Sequence, residues 1–164
     1  MDVGGGRGAT LAGILAACPG IRGILFDQAH VVAGAEDLLH AVGVSDRCAV
    51  VAGDFFRSVP AGGDVYLLKG VIHNWNDDSA RAILANCRRA IAAHGKLLLV
   101  TAVLAAGNLC QRGKCLMDLP MLVIHGGAER TADELAALLA SAGFRLARII
   151  PTQTMVSVIQ AEPV

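Results

Sequence analysis

The chain has 164 residues, of which 54% are hydrophobic and 17% are charged, and its 14 basic side chains are balanced by 14 acidic ones. This length is enough for one domain with a buried core, and the neutral balance gives no basic footprint for nucleic acid or an anionic membrane. The five cysteines show no disulfide or zinc spacing and no secretory leader is recognisable, so we expect reduced thiols, no metal site and a cytoplasmic location.

The first predicted elements are a short strand, a glycine turn at D-V-G-G-G-R-G (residues 2–8) and a helix over residues 10–17. Glycines at alternate positions let backbone N–H groups approach a ligand closely. The spacing differs from the G-x-G-x-x-G of dinucleotide sites. The carboxylate of Asp2 beside this turn favours a ligand with a cationic end, such as S-adenosylmethionine. A purely structural turn is the alternative interpretation.

The rest of the chain alternates apolar runs with helical patterns, which predicts an α/β fold with a mostly parallel sheet and helices on both faces. The last two strands are separated only by residues 151–154, too few for a crossover, so this pair is predicted to be antiparallel. The further predicted strands are residues 23–26, 48–52, 65–69, 96–103, 145–150 and 155–160, and the further helices are 31–41, 77–93, 117–124 and 132–142.

The first predicted strand, residues 1–3, is too short for the central position that the strand before a glycine turn normally takes. A central strand of this length leaves hydrogen-bonding groups of its neighbours unpaired. We therefore expect that the first strand is truncated and that the chain is cut from a longer protein.

Two acidic side chains follow predicted strands. Asp27 ends the second strand about twenty residues after the glycines, where a carboxylate accepts the ribose hydroxyls of an adenosine ligand; a helix N-cap or surface turn is the alternative. Asp54 follows the third strand and is a candidate acceptor for an adenine amino group, with Phe55 packed on the ring. The alternative places both phenylalanines in the core, and for Phe56 this is the interpretation that we prefer.

The fourth predicted strand ends at Lys69 and is followed by His73 and Trp75. Ligands of open α/β sheets bind at the carboxyl ends of the strands. His73 is therefore well placed to act as a base, although a lone histidine is more often a structural residue.

Together these segments resemble the S-adenosylmethionine-dependent small-molecule O-methyltransferases of the plant caffeate and acetylserotonin type, which also occur in bacteria. The resemblance covers almost the whole chain, and its most specific parts are K-x-x-x-H-[DN]-W at residues 69–75 and G-G-x-E-R-T at 126–131. It implies a Rossmann-like class I methyltransferase sheet that closes with a C-terminal antiparallel hairpin. The other matching segments are DVGGGRG (2–8), FDQAHVV (26–32), GDFFRSVP (53–60), KLLLV (96–100) and LLASAGF (138–144).

The resemblance also implies roles for individual residues. His73 matches the catalytic base, and Glu129 matches one of two glutamates that orient it. Thr101 stands where the family typically has the second glutamate, so one orienting carboxylate is absent. The residues that match cofactor contacts are Gly4, Asp27, Asp54, Phe55 and Lys69.

Full-length members of the family carry an N-terminal helical domain that dimerises and helps to close the substrate pocket. The resemblance thus implies that residues 1–164 are the catalytic domain alone, and that the full-length form is a homodimer. It places pocket residues in 116–125 and around Trp75.

The expected reaction is methyl transfer from S-adenosylmethionine to a hydroxyl, phenolic in the expected substrate, with His73 as the general base and without a metal. Two alternatives stay open. One is a truncated, inactive fragment that keeps the fold. The other is a nicotinamide-dependent oxidoreductase, against which the glycine spacing and the Tyr66–Lys69 spacing both argue.

Overall fold

The computed structural model describes residues 1–104 and 127–164. The predicted helix over residues 117–124 and the expected pocket segment 116–125 lie outside the described residues. The described strands are β1 Asp2–Val3, β2 Gly23–Asp27, β3 Cys48–Ala52, β4 Val65–Lys69, β5 Lys96–Leu104, β6 Arg130–Thr131, β7 Phe144–Pro151 and β8 Val156–Pro163. The described α-helices are α1 Ala9–Ala17, α2 Ala29–Val32, α3 Ala35–Val42, α4 Asp77–Ala90 and α5 Ala132–Ser141, and 3-10 turns span Ser45–Arg47 and Ile72–Asn74.

The strands form one twisted sheet in the order β3-β2-β1-β4-β5-β8-β7, with the short β6 paired to β5. Strands β1 to β6 pair in parallel, whereas β8 is antiparallel to both β5 and β7. The predicted α/β sheet with an antiparallel C-terminal hairpin is therefore confirmed. The crossover geometry directs the carboxyl ends of β1 to β4 to one edge, where ligands of such sheets bind.

Side chains that alternate along β2 divide between two apolar clusters, because successive residues of a strand point to opposite faces. Leu25 packs with Leu11 and Leu39 of α1 and α3 on one face. Phe26 belongs to the larger cluster on the other face, which includes Leu84 of α4. Helices thus cover both faces of the sheet, and the central parallel strands β1, β2 and β4 are buried between them.

Strand β1 is only two residues long and lies at the centre of the sheet. Asp2 pairs with both Leu25 of β2 and Leu67 of β4, and the Leu67 amide also donates to the carbonyl of Met1 at 2.8 Å. The position of this strand brings the glycine turn, which follows directly, to the middle of the carboxyl edge.

The helix ends follow the local sequence. Asn76 accepts a hydrogen bond from the Ser79 amide and caps α4, and Thr131 and Glu134 form a reciprocal capping box at the start of α5. The Thr131 amide and hydroxyl both donate to Glu134 Oε2, at 2.8 and 2.9 Å, and these two hydrogen bonds lower the pKa of Glu134. Both caps were predictable because Asn and Thr precede apolar helical patterns.

The single helix predicted over residues 31–41 is wrong. Two helices, α2 and α3, replace it, with a break at Ala33 and Gly34. Glycine weakens a helix interior, and the Gly34 carbonyl is taken instead by the Arg7 guanidinium at 3.1 and 3.2 Å. A residue of the glycine turn thereby fixes the break.

In residues 1–104 and 127–164, no helix combines the length and the apolar composition needed to cross a bilayer.

Candidate active site

The predicted site residues lie at the carboxyl edge of the sheet, in the turns that follow β1 to β4. Gly4 opens the turn after β1, Asp27 ends β2, Asp54 and Phe55 follow β3, and Lys69 ends β4. The fold therefore gathers, at one edge, residues that are far apart in the sequence.

The glycine turn has backbone conformations that favour glycine. Gly4 and Gly6 have φ of +69° and +62°. A Cβ on Gly4 would lie 2.8 Å from Val71 Cγ2 and 3.5 Å from Phe55 Cε1, whereas a Cβ on Gly6 would meet nothing within 4 Å. Gly4 is thus packed against the protein, and Gly6 faces open space.

The carboxylate of Asp27 is fixed by two backbone amides. Its Oδ2 accepts from Gly6 N at 2.8 Å and its Oδ1 accepts from Gln28 N at 2.7 Å. A carboxylate oxygen has two lone-pair sites. Asp27 can therefore hold the glycine turn and still accept hydrogen bonds from a ligand.

The carboxyl group of Asp2 is buried under the turn. Its exposed fraction is 1%, and its Oδ2 has no hydrogen-bond partner among the described residues. Burial raises the pKa of this group from 3.8 to about 6. A Cβ on Gly5 would lie 2.6 Å from Oδ2, so this oxygen lies directly beneath the glycine turn.

Asp54 and Phe55 form a tight turn after β3. Asp54 Oδ1 accepts from Phe56 N at 2.8 Å, and the Gly53 amide donates to the Asp27 carbonyl at 2.9 Å. The Phe55 ring packs edge-on against Trp75 with centroids 6.2 Å apart. This turn places Phe55 beside Gly4 and ties it to the end of β2.

The expectation that Phe56 is a core residue is wrong. Its side chain is 38% exposed and contacts the rings of Phe55 and Trp75 from outside. Strand β3 ends at Ala52, and the amides of Arg57 and Ser58 donate to the Asp54 carbonyl. This turn directs Phe56 away from the core.

His73 lies in the 3-10 turn after β4, and its Nδ1 is 2.8 Å from Glu129 Oε1. The two residues are 56 positions apart in the chain. A carboxylate accepts hydrogen bonds, so this contact suits the tautomer with the ring proton on Nδ1. Among the described residues, Nε2 has no hydrogen-bond partner.

Thr101 of β5 completes this group. Its hydroxyl donates to Glu129 Oε2 at 3.1 Å, and its side chain is 5% exposed. The two oxygens of Glu129 are therefore held by different partners, the His73 ring and the Thr101 hydroxyl.

A cavity of about 210 Å³ opens beside His73. Strands β4, β5 and β8 and the segment before β6 form its described wall. The described lining is mostly apolar with a few polar side chains, the pattern of small-molecule sites. The lining residues are Lys69, Gly70, His73, Val100, Thr101, Ala102, Glu129, Met155 and Val156.

The structure thus separates the predicted residues into two groups. Gly4, Asp27, Asp54 and Phe55 surround the glycine turn, whereas Lys69 lines the same cavity as His73 and Glu129. Met155 and Val156 were not predicted at the site. Only the antiparallel pairing of β8 with β5 brings them to the cavity, and no local sequence pattern signals that contact.

A glycine turn after a central β1, an acid at the end of β2 and an antiparallel β8 between β5 and β7 define the class I methyltransferase fold. A family model described as an O-methyltransferase domain matches residues 1–145. The chain belongs to this O-methyltransferase family.

Phenazine O-methyltransferase PhzM of Lysobacter antibioticus is 51% identical to this chain over 164 residues, which is 100% of the chain and 48% of that protein. Aclacinomycin 10-hydroxylase RdmB of Streptomyces purpurascens is 40% identical over 148 residues, which is 90% of the chain and 40% of that protein.

Among solved structures, the O-methyltransferase NcsB1 from neocarzinostatin biosynthesis, in complex with S-adenosylmethionine and 2-hydroxy-5-methyl naphthoic acid, has a TM-score of 0.90 at 36% identity. That match covers 99% of this chain and 48% of the NcsB1 chain. The chain spans about half the length of the relatives that it matches.

Proposed function

We propose that this protein transfers a methyl group from S-adenosylmethionine to a phenolic hydroxyl of a small molecule, with His73 as the general base. The observation that carries the proposal is the 2.8 Å contact between His73 Nδ1 and Glu129 Oε1 at the wall of a cavity. This cavity lies at the same sheet edge as the glycine turn.

The residues around the glycine turn fit S-adenosylmethionine. The buried Asp2 Oδ2 lacks a partner among the described residues, and a negative group there suits a ligand with cationic ends. Gly6 leaves open space above the turn, Asp27 is an acceptor for ribose hydroxyls, and Phe55 offers an apolar face to adenine. Bound there, S-adenosylmethionine supplies an electrophilic methyl group on a positively charged sulfur.

His73 and Glu129 supply the proton chemistry. A phenol has a pKa of about 10 and keeps its proton at neutral pH. The Nε2 lone pair of His73 can take that proton while the phenolic oxygen becomes the nucleophile. Glu129 holds the ring in the tautomer with a proton on Nδ1 and stabilises the imidazolium that forms.

The cavity supports an aromatic substrate. Its apolar residues, Val100, Ala102 and Val156 among them, suit a flat apolar body, and His73 in its wall suits a hydroxyl. NcsB1 with its bound hydroxy-naphthoic acid is consistent with this class of substrate.

One relative favours a second candidate function. RdmB carries the name of a hydroxylase at 40% identity, so family membership alone does not fix the reaction. The two reactions differ in their product, because methylation adds one methylene unit and hydroxylation adds one oxygen atom.

The test is a product analysis of the purified protein with S-adenosylmethionine and a panel of phenols, by mass spectrometry. We expect a methylated product and a loss on the order of 10²–10⁴-fold in kcat for His73→Gln. His94→Gln is the matched control, because His94 also faces a carboxylate, Asp64 at 3.7 Å, on the exposed surface. An oxygenated product, or a His73→Gln variant as fast as wild type, contradicts the proposal.

A further inference from the structure

Arg130 is a buried cation that the proposed chemistry does not use. Its exposed fraction is 5%, and it follows Glu129 directly in the chain. Its guanidinium pairs with the Asp77 carboxylate, with Nε and Nη2 at 2.9 and 2.8 Å from Oδ1. The remaining N–H groups point to backbone carbonyls of two different segments.

The first of these segments carries His73. Nη1 of Arg130 donates to the Ile72 carbonyl at 3.2 Å, and Nη2 donates to the Trp75 carbonyl at 2.8 Å. These carbonyls lie before and after His73. The guanidinium therefore spans the short turn that holds the histidine.

The second segment carries Glu129. Nη1 of Arg130 also donates to the Ala128 carbonyl at 3.3 Å. The two segments touch at the level of the backbone, since a Cβ on Gly127 would clash with the His73 carbonyl oxygen. One side chain thus joins the backbone on either side of the base to the backbone beside its orienting carboxylate.

The turn requires such support. Ile72–Asn74 is a single 3-10 turn, and one turn of helix is not stable by its own hydrogen bonds. Arginine suits this position because its planar guanidinium offers five donors in fixed directions, which the single ammonium of lysine cannot reproduce.

We propose that Arg130 is a positioning residue that sets the distance between His73 and Glu129 by fixing the two segments that carry them. The proposal rests on the proposed role of His73 as the base. Arg130 acts through the backbone and lines no part of the described cavity.

The test compares Arg130→Met with Arg88→Met in the purified protein. Arg88 is the matched control, because it also donates to two backbone carbonyls, those of Gly143 and Val164 at 3.0 and 2.9 Å, but it lines no part of the described cavity. The stoichiometry of S-adenosylhomocysteine binding, measured by calorimetry, gives the number of folded binding sites. The rate is then divided by this number, so that kcat per site is independent of any unfolded protein.

We expect Arg130→Met to lower kcat per site by about 10–100-fold, since a misplacement of about 1 Å has effects of that size. Arg88→Met keeps the wild-type kcat per site.

Arg130→Lys keeps the positive charge but loses the planar guanidinium with its fixed donor directions. We therefore expect this variant to fold like wild type and to recover only part of the wild-type kcat per site. Nitrogen-15 NMR of the His73 ring gives a readout independent of turnover, and we expect the population with a proton on Nδ1 to fall in both Arg130 variants. A wild-type tautomer with wild-type kcat per site overturns the positioning role. If His73→Gln itself turns over normally, the base assignment fails instead, so the two failures are distinguishable.

Discussion

The Thr101 hydroxyl donates to Glu129 Oε2 at 3.1 Å, on the opposite carboxylate oxygen from the one that contacts His73. The family resemblance would place a second orienting carboxylate at residue 101. Thr101 supplies a neutral hydrogen-bond donor there instead. Among the described residues, the histidine therefore contacts the carboxylate of Glu129, whose second oxygen is held in place by a hydroxyl.

Thr101→Val should lower kcat by about 10–100-fold, because one hydrogen bond to a charged carboxylate, about 1.5–3 kcal/mol, is lost without a change of shape. Thr101→Ser keeps the hydroxyl and should remain close to wild type. Steady-state kinetics at saturating S-adenosylmethionine check both variants. Equal rates for Val and Ser would mean that the hydroxyl does not hold Glu129.

Asp27→Asn should weaken S-adenosylhomocysteine binding by about 1.5–3 kcal/mol for each lost hydrogen bond to the charged group. An amide has one acceptor oxygen, so it cannot serve both Gly6 N and Gln28 N and also a ligand. Calorimetry measures the affinity, and Asp64→Asn, an exposed acid outside the site, is the control. An unchanged affinity in Asp27→Asn would show that this carboxylate only shapes the turn.

Asp2→Asn should change how stability depends on pH. The pKa of this carboxyl is about 6 in the folded state against 3.8 ordinarily, so the folded state holds the proton more tightly. The free energy of unfolding of the wild type therefore falls as pH rises from about 4 to about 6. The asparagine variant does not show this decrease, because its side chain does not ionise. At pH 7 the variant should gain on the order of 2–3 kcal/mol in free energy of unfolding.

Denaturant unfolding at several pH values measures this difference, and a wild-type curve that is flat between pH 4 and 6 would contradict it. The same variant should bind S-adenosylhomocysteine more weakly, since the buried negative charge beneath the turn is gone. A gain in stability together with a loss in binding would identify Asp2 as a functional and not a structural acid.

Gly6→Ala and Gly43→Ala form a matched pair. Both glycines have positive φ, +62° and +76°, and neither has an atom within 4 Å of an added Cβ. Each alanine should cost about 1–2 kcal/mol in stability from the backbone conformation alone. Only Gly6→Ala should also weaken cofactor binding, because only Gly6 faces the proposed ligand.

Melting curves measure the loss of stability in each glycine variant, and calorimetry measures the loss of cofactor affinity. Similar losses of cofactor affinity in both variants would mean that strain, and not the open space above Gly6, controls binding.

Local sequence predicted the strands well where each apolar run has clear limits. Strands β3 and β4 have the predicted bounds, Cys48–Ala52 and Val65–Lys69, because each is a short apolar run between turns. The break at Gly34 escaped prediction because it depends on Arg7, which is distant in the sequence.

The same distinction holds at the site. The positions of Asp27 and His73 at the carboxyl edge of the sheet could be predicted because each lies at or just after a strand end. The contacts of Arg130 could not, since its partners at Ile72 and Trp75 are more than fifty residues away. Periodicity and turn signals describe neighbours in the chain, and contacts of this kind arise only when the sheet has closed.

The position of β8 has a consequence for the order of assembly. This strand is the last of the described strands in the chain, yet it pairs with β5 on one side and β7 on the other. Because a chain emerges from the ribosome N-terminus first, β5 presents an unpaired edge until residues 156–163 arrive. Val156, at the wall of the cavity, arrives with them, so the glycine turn can form early while this part of the described cavity wall is added only with β8.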